Sequence, residues 1–344
     1  MKISVKRIIK AIKKAKKIKI PFFKYLKFRK LGFSDSEIVL YNIKNVSYKN
    51  YISDKECYYP RNYNSFKEIS DDKMIFSMVM KDYCKVPTNF AYIKKGILYS
   101  LDDRLNSSDD LFDFVISQKE IIIKPYGGAD GKSIFLVTKS SDNPNMIVIN
   151  KKNSSKEDLI ALIKSLDMYL IQNRIHQGQF ENSIFPDAIN TIRLVTCREN
   201  NQKRHKLIAA VHRFGNSKSF PVDNFNQGGT ACEIDISSGV LGRASDINCK
   251  DEKGNQIYYN EHPDTKVQLH GQIIPNWDLI VNTILDITEK IPLWDFVAWD
   301  VVHQDNQIAL IEINMKTSAN LFQIFEPMKD KALGKAILSF KNKK

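Results

Sequence analysis

With 344 residues, 43% of them hydrophobic and 26% charged, the chain has a globular composition and enough apolar mass for two or three lobes. No run approaches the ~18–20 consecutive apolar residues of a membrane-spanning helix, and the N-terminus lacks the apolar core of a secretory signal, so a cytoplasmic protein is expected. The net charge of +13 is local: residues 1–34 hold 13 Lys and Arg and no Asp or Glu, while the rest balances 39 basic against 39 acidic residues. That placement argues against a nucleic-acid-binding stripe across the fold. Cys57, Cys84, Cys197, Cys232 and Cys249 are scattered and form no CxxC pair, which argues against a disulfide framework and a zinc site.

Residues 2–20 place Val5, Ile8, Ile9, Ile12 and Ala15 at helical spacing, with Lys2, Lys6, Lys10, Lys13, Lys14 and Lys17 around them. Such a basic amphipathic helix suits an anionic membrane surface or a partner protein; docking on the body with a solvated lysine face and, least, nucleic-acid binding are the alternatives. Phe22, Phe23, Tyr25 and Phe28 follow Pro21 and could anchor it at an interface. Residues 35–70 are polar and tyrosine-rich, show few periodic signals, and read as a preface or linker. A helix is predicted over 71–84, then strands at 88–93 and 97–100, and a helix at 109–117 behind the Ser107-Ser108-Asp109-Asp110 cap. Strands follow at 120–124, 133–138 and 146–149, then a helix at 156–165 capped by Ser154 or Ser155 and a strand at 168–172. The second half predicts strands at 189–197, 206–214 and 231–236, a helix at 276–289, strands at 295–303 and 307–313 around the turn Gln304-Asp305-Asn306, and a helix at 329–341. Antiparallel hairpins mixed with helices in two lobes make an α+β fold.

Two motifs carry chemistry. In Ile121-Ile122-Ile123-Lys124-Pro125-Tyr126-Gly127-Gly128-Ala129-Asp130-Gly131-Lys132-Ser133, a strand ends in lysine and runs into a loop with three glycines. Glycines let backbone N–H groups approach phosphate oxygens, and Lys124 supplies a point charge. The loop lies between two strands and is not of Walker-A form; a plain hairpin loop would look similar. The second motif is Phe296-Val297-Ala298-Trp299-Asp300-Val301-Val302 followed by Ile308-Ala309-Leu310-Ile311-Glu312-Ile313-Asn314. Glu312 and Asn314 alternate onto one face, and Asp300 can meet them from the neighbouring strand. Two carboxylates and an amide oxygen are hard ligands that suit Mg²⁺ on nucleotide phosphates; polar residues on an exposed sheet face are the alternative.

Together these motifs resemble the ATP-grasp superfamily, in which two α+β lobes grip ATP. The resemblance implies an ATP-grasp N-lobe over 71–175 and a C-lobe over 176–344; residues 1–70 carry no resemblance, and 1–34 are a short basic amphipathic helical segment by their own spacing alone. It implies Asp300, Glu312 and Asn314 as magnesium ligands, Lys73 and Lys124 as the two ATP lysines, and Gly127, Gly128, Gly131, Lys132 and Ser133 as the phosphate loop. Gln172, Asn173 and Ile175 fall in the hinge strand that reads adenine; the acidic residue common in that hinge is replaced by Gln172 and Asn173. Arg193 and Arg213 would stabilise charge on the transferring phosphoryl group. A finer resemblance lies in Asn190-Thr191-Ile192-Arg193, Pro221-Val222-Asp223-Asn224, Gly228-Gly229, His262-Pro263 and Ile274-Pro275-Asn276-Trp277. These are similar to the sugar-transfer-associated ATP-grasp family, linked to cell-surface polysaccharide and capsule biosynthesis, over roughly residues 70–340. Gly228 and Gly229 would offer backbone donors or form an ordinary turn, and His212 and His270 would touch substrate or serve structure. The function this implies is an ATP- and Mg²⁺-dependent carboxylate–amine ligase working through an acyl phosphate on sugar-linked substrates. A kinase for a sugar-like hydroxyl and a non-catalytic ATP-binding scaffold of a glycan-assembly complex are the alternatives, with residues 1–34 then meeting the inner face of the cell membrane or a glycan-assembly partner.

Overall fold

The computed structural model describes residues 5–127, 133–199 and 202–343. Four helices open the chain: α1 (Val5–Lys17), α2 (Phe22–Leu31), α3 (Asp35–Leu40) and α4 (Tyr58–Tyr63). Pro21 separates the first two, and Gly32 ends α2 at φ +99°, a left-handed conformation that glycine adopts without Cβ strain. Ser34 and Glu37 form a reciprocal capping box that starts α3.

Residues 35–70 are not the linker their composition suggested. Ile38, Leu40, Tyr41, Ile43, Ile52 and Cys57 are buried in one core with the second sheet. Tyr41 stacks on Tyr51 with ring centroids 4.7 Å apart, and the Gln323 side chain bonds both the Ile52 N–H (2.6 Å) and its carbonyl (2.9 Å). Tertiary contacts hold this irregular stretch, so no local period announces it. Of the four aromatics after Pro21, Tyr25 and Phe28 are core residues, whereas Phe23 is 82% exposed.

The first sheet has α5 (Lys73–Met80) ahead of it, then β1 (Asn89–Lys94), β2 (Ile97–Ser100), α6 (Leu111–Gln118), β3 (Glu120–Pro125), β4 (Phe135–Lys139), β5 (Ile147–Ile149), β6 (Lys152–Ser154), α7 (Lys156–Ser165) and β7 (Tyr169–Gln172). The strand order is β2-β1-β7-β3-β4-β5-β6, antiparallel throughout. Inserting the last strand between β1 and β3 sets Lys124 opposite Leu170 and Ile122 opposite Gln172. Ser155 caps α7 through a box with Asp158.

The second sheet follows: α8 (Gln179–Ile184), β8 (Thr191–Cys197), β9 (Lys206–Phe214), β10 (Thr230–Ile234), β11 (Leu241–Ser245), α9 (Trp277–Lys290), β12 (Phe296–Gln304), β13 (Gln307–Asn314), α10 (Asn320–Gln323) and α11 (Ala332–Ser339). Its order is β11-β10-β9-β8-β12-β13. The short elements α8, β6 and β11 carried no sequence signal. On β8 and β12, Ile192, Leu194, Val297, Trp299 and Val301 pack against Ile280, Ile284 and Ile287 of α9. Val195, Cys197, Phe296 and Ala298 face the other way, onto the N-terminal helices and α11. Both faces are covered, which is why these strands read as continuous apolar runs.

The N-terminal layer is thus part of the core. Phe28→Ala is expected to destabilise the protein by about 3–5 kcal/mol, and Phe23→Ala by less than about 0.5 kcal/mol, both read by urea unfolding of the full chain. Equal midpoints for the two variants would show that the layer does not contribute.

Candidate functional site

Register builds the site. Arg193 on β8 sits directly opposite Asp300 on β12, and Asp300 sits opposite Glu312 on β13. The three share one row on one face of the sheet. Thr191, two residues back on β8, lies opposite Arg213 of β9, and Asn314 lies two residues on from Glu312. This is the face that the N-terminal layer covers further along the strands; at this end it opens into a cleft under the first sheet.

Asp300 is 2% exposed and held by two guanidinium groups. Arg193 grips both of its oxygens, with Nη2–Oδ2 at 2.7 Å, and Arg213 Nη2 donates to Oδ2 at 2.9 Å. Burial alone would raise this carboxyl, but the two arginines overcome it and keep it well below the usual carboxylate range. Arg213 also donates to Thr191 Oγ1 (Nε at 2.9 Å), and Thr191 donates through N–H (2.8 Å) and O–H to Asp223 Oδ2. Burial of Arg213 is offset by Asp223 and Asp300, which push its already high pKa further up. Glu312 is more open: Asn314 Nδ2 donates to its Oε1 at 3.2 Å, and Lys73 Nζ lies 3.6 Å from its Oε2.

The cations above this row are Lys73, at the start of α5, and Lys124, near the end of β3. Asp72 caps α5 by accepting from the N–H groups of Met74 and Ile75, both at 2.9 Å. The Lys73 N–H bonds the Tyr126 carbonyl (3.1 Å), and Asp72 bridges to Gly127, so the start of α5 is laced to the end of β3. A Cβ at Gly127 would meet the Asp71 carbonyl at 3.0 Å, a tight contact that a larger residue could keep only if the neighbour gave way by a few tenths of an ångström. Lys73 and Lys124 are thereby brought together. Lys124 is buried and makes no ion pair among the described residues. Burial, reinforced by the Lys73 charge and opposed by Glu312, lowers its ammonium to about 7.

The floor of the cleft is apolar, with Ile122, Leu136, Ile175, Ile189 and Ile311, and ends at Gln172. A chain of hydrogen bonds orients that amide. Ser77 Oγ donates to the Lys73 carbonyl (3.0 Å), so it accepts from Asn89 Nδ2 (2.6 Å). Asn89 Oδ1 is left to accept from Gln172 Nε2. Among the described residues, Gln172 Oε1 is then buried with no partner. Such an orphan acceptor is costly unless a ligand N–H completes it. Asn173 instead fastens the hinge, its Oδ1 accepting from the Thr88 N–H at 2.6 Å.

The cleft is lined by Lys73, Lys124, Gly127, Gln172, Asn173, Ile175, Arg213, Asp300 and Glu312. Arg193 and Asn314 do not line it; they reach it through Asp300 and Glu312. Ser133 is exposed outside the cleft, and Gly128, Gly131 and Lys132 lie outside the described residues. Gly228 and Gly229 form a turn: Asn216 Nδ2 bonds the Gly228 carbonyl (2.7 Å), and a Cβ on Gly229 would meet the Asp223 carbonyl at 2.4 Å. His212 is buried against Phe214 and Glu181, and His270 is exposed away from the cleft. Thr191 and Asp223 stand in motifs quoted from the sequence but were given no role there. Thr191 shares the face of Arg193 by simple alternation, but Asp223 arrives from a loop whose path no local pattern gives.

The donor chemistry fits a hard divalent cation, since Asp300, Glu312 and Asn314 offer only oxygen ligands on one face. Among the described residues, no cluster of three His, Cys, Asp or Glu side chains could hold a metal. The amide of Asn314 would complete the set.

Removing Asp300 leaves two buried guanidinium groups uncompensated. Asp300→Ala is expected to destabilise the fold by about 3–5 kcal/mol in thermal or urea unfolding. Glu312→Gln, on a half-exposed residue, should leave the unfolding midpoint unchanged. For Lys124 the linkage is to phosphate: an amine that has lost its proton above a pKa of about 7 regains it when a phosphate binds. Polyphosphate binding should therefore take up a proton above about pH 7, and affinity should fall as pH rises from there. Calorimetry in buffers of different ionisation enthalpy, with ATP as probe, reads the uptake. Lys124→Arg, which cannot titrate, should bind ATP with less uptake; identical uptake would remove Lys124 from the phosphate site.

A family model described as sugar-transfer associated ATP-grasp matches residues 54–333, beginning earlier than the motifs alone indicated. No curated protein sequence matches the chain. Three of the similar solved structures are the ADP complex of an N5-carboxyaminoimidazole ribonucleotide synthetase (8% identity, TM-score 0.43, covering 79% of this chain and 51% of that one), a D-alanine–D-alanine ligase from Bacillus anthracis (11%, 0.39, 79% and 63%), and a phosphoribosylamine–glycine ligase from Thermotoga maritima (12%, 0.43, 81% and 56%). The chain spans only about half to two thirds of the length of these structures. The family match runs over most of the sequence, and the chain belongs to the sugar-transfer associated ATP-grasp family.

Proposed function

We propose that this chain is an ATP-dependent ligase that joins a carboxylate to an amine, with sugar-linked substrates. The observation that carries the reading is the charge arrangement of the cleft: Lys73, Lys124 and Arg213 line it, and the two carboxylates that Arg213 touches, Asp300 and Asp223, are already engaged. A hydroxyl acceptor needs a free base to take its proton, whereas a carboxylate arrives ionised and needs only cations to hold it. Asp300 is committed to two arginines, and Asp223 to Thr191 and Arg213. Neither is available as a base.

On this reading residues 71–175 act as the N-lobe and 176–344 as the C-lobe. Adenine lies on the isoleucine floor, and Gln172 Oε1 accepts from its amino group. Lys124 and Lys73 hold phosphate oxygens. Asp300, Glu312 and Asn314 would hold Mg²⁺, which neutralises charge between the phosphates when bound. Arg213 stabilises the γ-phosphoryl group as it moves to the substrate carboxylate, leaving ADP; Arg193 is a positioning residue that fixes Asp300. The neutral amine nitrogen then attacks the acyl carbon, the carbon–oxygen bond to phosphate breaks, and an amide forms as the proton lost from nitrogen passes to the departing phosphate.

Purified protein with Mg²⁺, ATP, carboxylated sugars and amines tests the reading. ADP and phosphate release that requires both a carboxylate and an amine is expected, and Glu312→Gln should lower it by roughly 10²–10³-fold without loss of fold. Turnover with a hydroxyl acceptor and no amine, giving a phosphorylated product, would replace the ligase by a kinase. Absence of ATP binding in calorimetry would overturn the site itself.

A further inference from the structure

The basic N-terminal helices use only part of their apolar surface to pack. α1 docks through Ala11, Ala15 and Ile18, and Lys14 pairs with Asp35 at 2.5 Å. At about 100° per residue, Ile8, Ile9 and Ile12 fall on the adjoining flank of the helix. They are 40%, 49% and 36% exposed, an unusual state for three isoleucines within five residues. The pattern continues on α2, which turns Tyr25 and Phe28 inward while Phe23 and Leu26 remain exposed. Among the described residues of this segment, Lys14 and Arg29 alone reach a carboxylate, and both reach Asp35. Lys6, Lys10, Lys13, Lys17, Lys27 and Lys30 face water.

We propose that α1 and α2 form a docking surface for an anionic lipid bilayer. Ile8, Ile9, Ile12 and Phe23 enter the interfacial layer, and the lysines beside them meet lipid phosphates. Charge complementarity selects the occupant, since the segment 1–34 carries 13 cations and no acidic residue. The exposed isoleucines separate a bilayer from a nucleic acid, whose phosphate backbone would use the lysines and leave the apolar flank wet. No helix among the described residues is long and apolar enough to cross a membrane, so the contact is with the surface.

Co-sedimentation of the full chain with vesicles tests this. Binding is expected to phosphatidylcholine vesicles containing phosphatidylglycerol, with little binding to phosphatidylcholine alone and loss at high salt. The triple variant Ile8→Asn, Ile9→Asn, Ile12→Asn should weaken partition by roughly tenfold or more while ATP binding is retained. A second variant, Lys10→Glu with Lys13→Glu, should weaken it comparably. No binding to anionic vesicles would overturn the proposal. Undiminished binding by the isoleucine variant would reduce the surface to charge adhesion and also overturn it, as would duplex DNA displacing the vesicles at equal phosphate concentration.

Discussion

The structure turns on one buried charge. Asp300 is removed from water, and its ionisation depends on Arg193 from β8 beside it and Arg213 from β9 one strand further. Isolated burial of a carboxylate costs several kcal/mol, and only well-placed donors offset it. That placement exists in one register only. A slip of one residue between β8 and β12 would turn Arg193 to the α9 side and leave Asp300 facing apolar neighbours. The same register carries Glu312 beside Asp300, so the interaction that specifies strand pairing also assembles the polar end of the cleft.

The opposite face holds a second buried set. Glu181 of α8 meets His212 of β9 and His303 of β12, the latter at 3.0 Å. Burial would raise Glu181, but the two histidines bring it down to about 2, while Glu181 in turn raises His303 against its own burial. Their contributions run in opposite directions with pH. The carboxylate's share is present above its unfolded value and fades as pH falls, whereas the His303 share is present below its unfolded value and fades as pH rises. Neighbours in sequence, His212 and Arg213, thus serve opposite faces: one fastens α8 to the sheet, the other lines the cleft.

Much of this was legible from alternation and strand length. Asp300, Glu312 and Asn314 stood out because polar residues interrupt long apolar strands, and Lys124 because it ends one. The hairpin around Asp305 and the capped helix at 156–165 are local features, and local rules found them. What escaped depends on distant partners. Residues 35–70 fold because Tyr41, Ile52 and Cys57 find a sheet more than a hundred residues away in sequence. Arg193 looked like a residue that touches substrate, but its guanidinium is spent on Asp300. The composition of residues 22–28 predicted interface anchors, and two of those aromatics proved to be core.

The orphan oxygen of Gln172 shows how far a side chain can be read once its partners are known. In sequence, Gln172 is only a neutral residue where an acidic one is common. In the structure, Ser77 fixes Asn89, and Asn89 fixes which end of the Gln172 amide donates. An acidic residue there could only accept, so two acceptors, its own oxygen and Asn89 Oδ1, would face each other. The amide satisfies Asn89 and still presents an acceptor to the cleft. The substitution and the polar chain behind it are therefore one arrangement, and the neutral amide keeps the acceptor in the cleft without adding a negative charge beside Lys124.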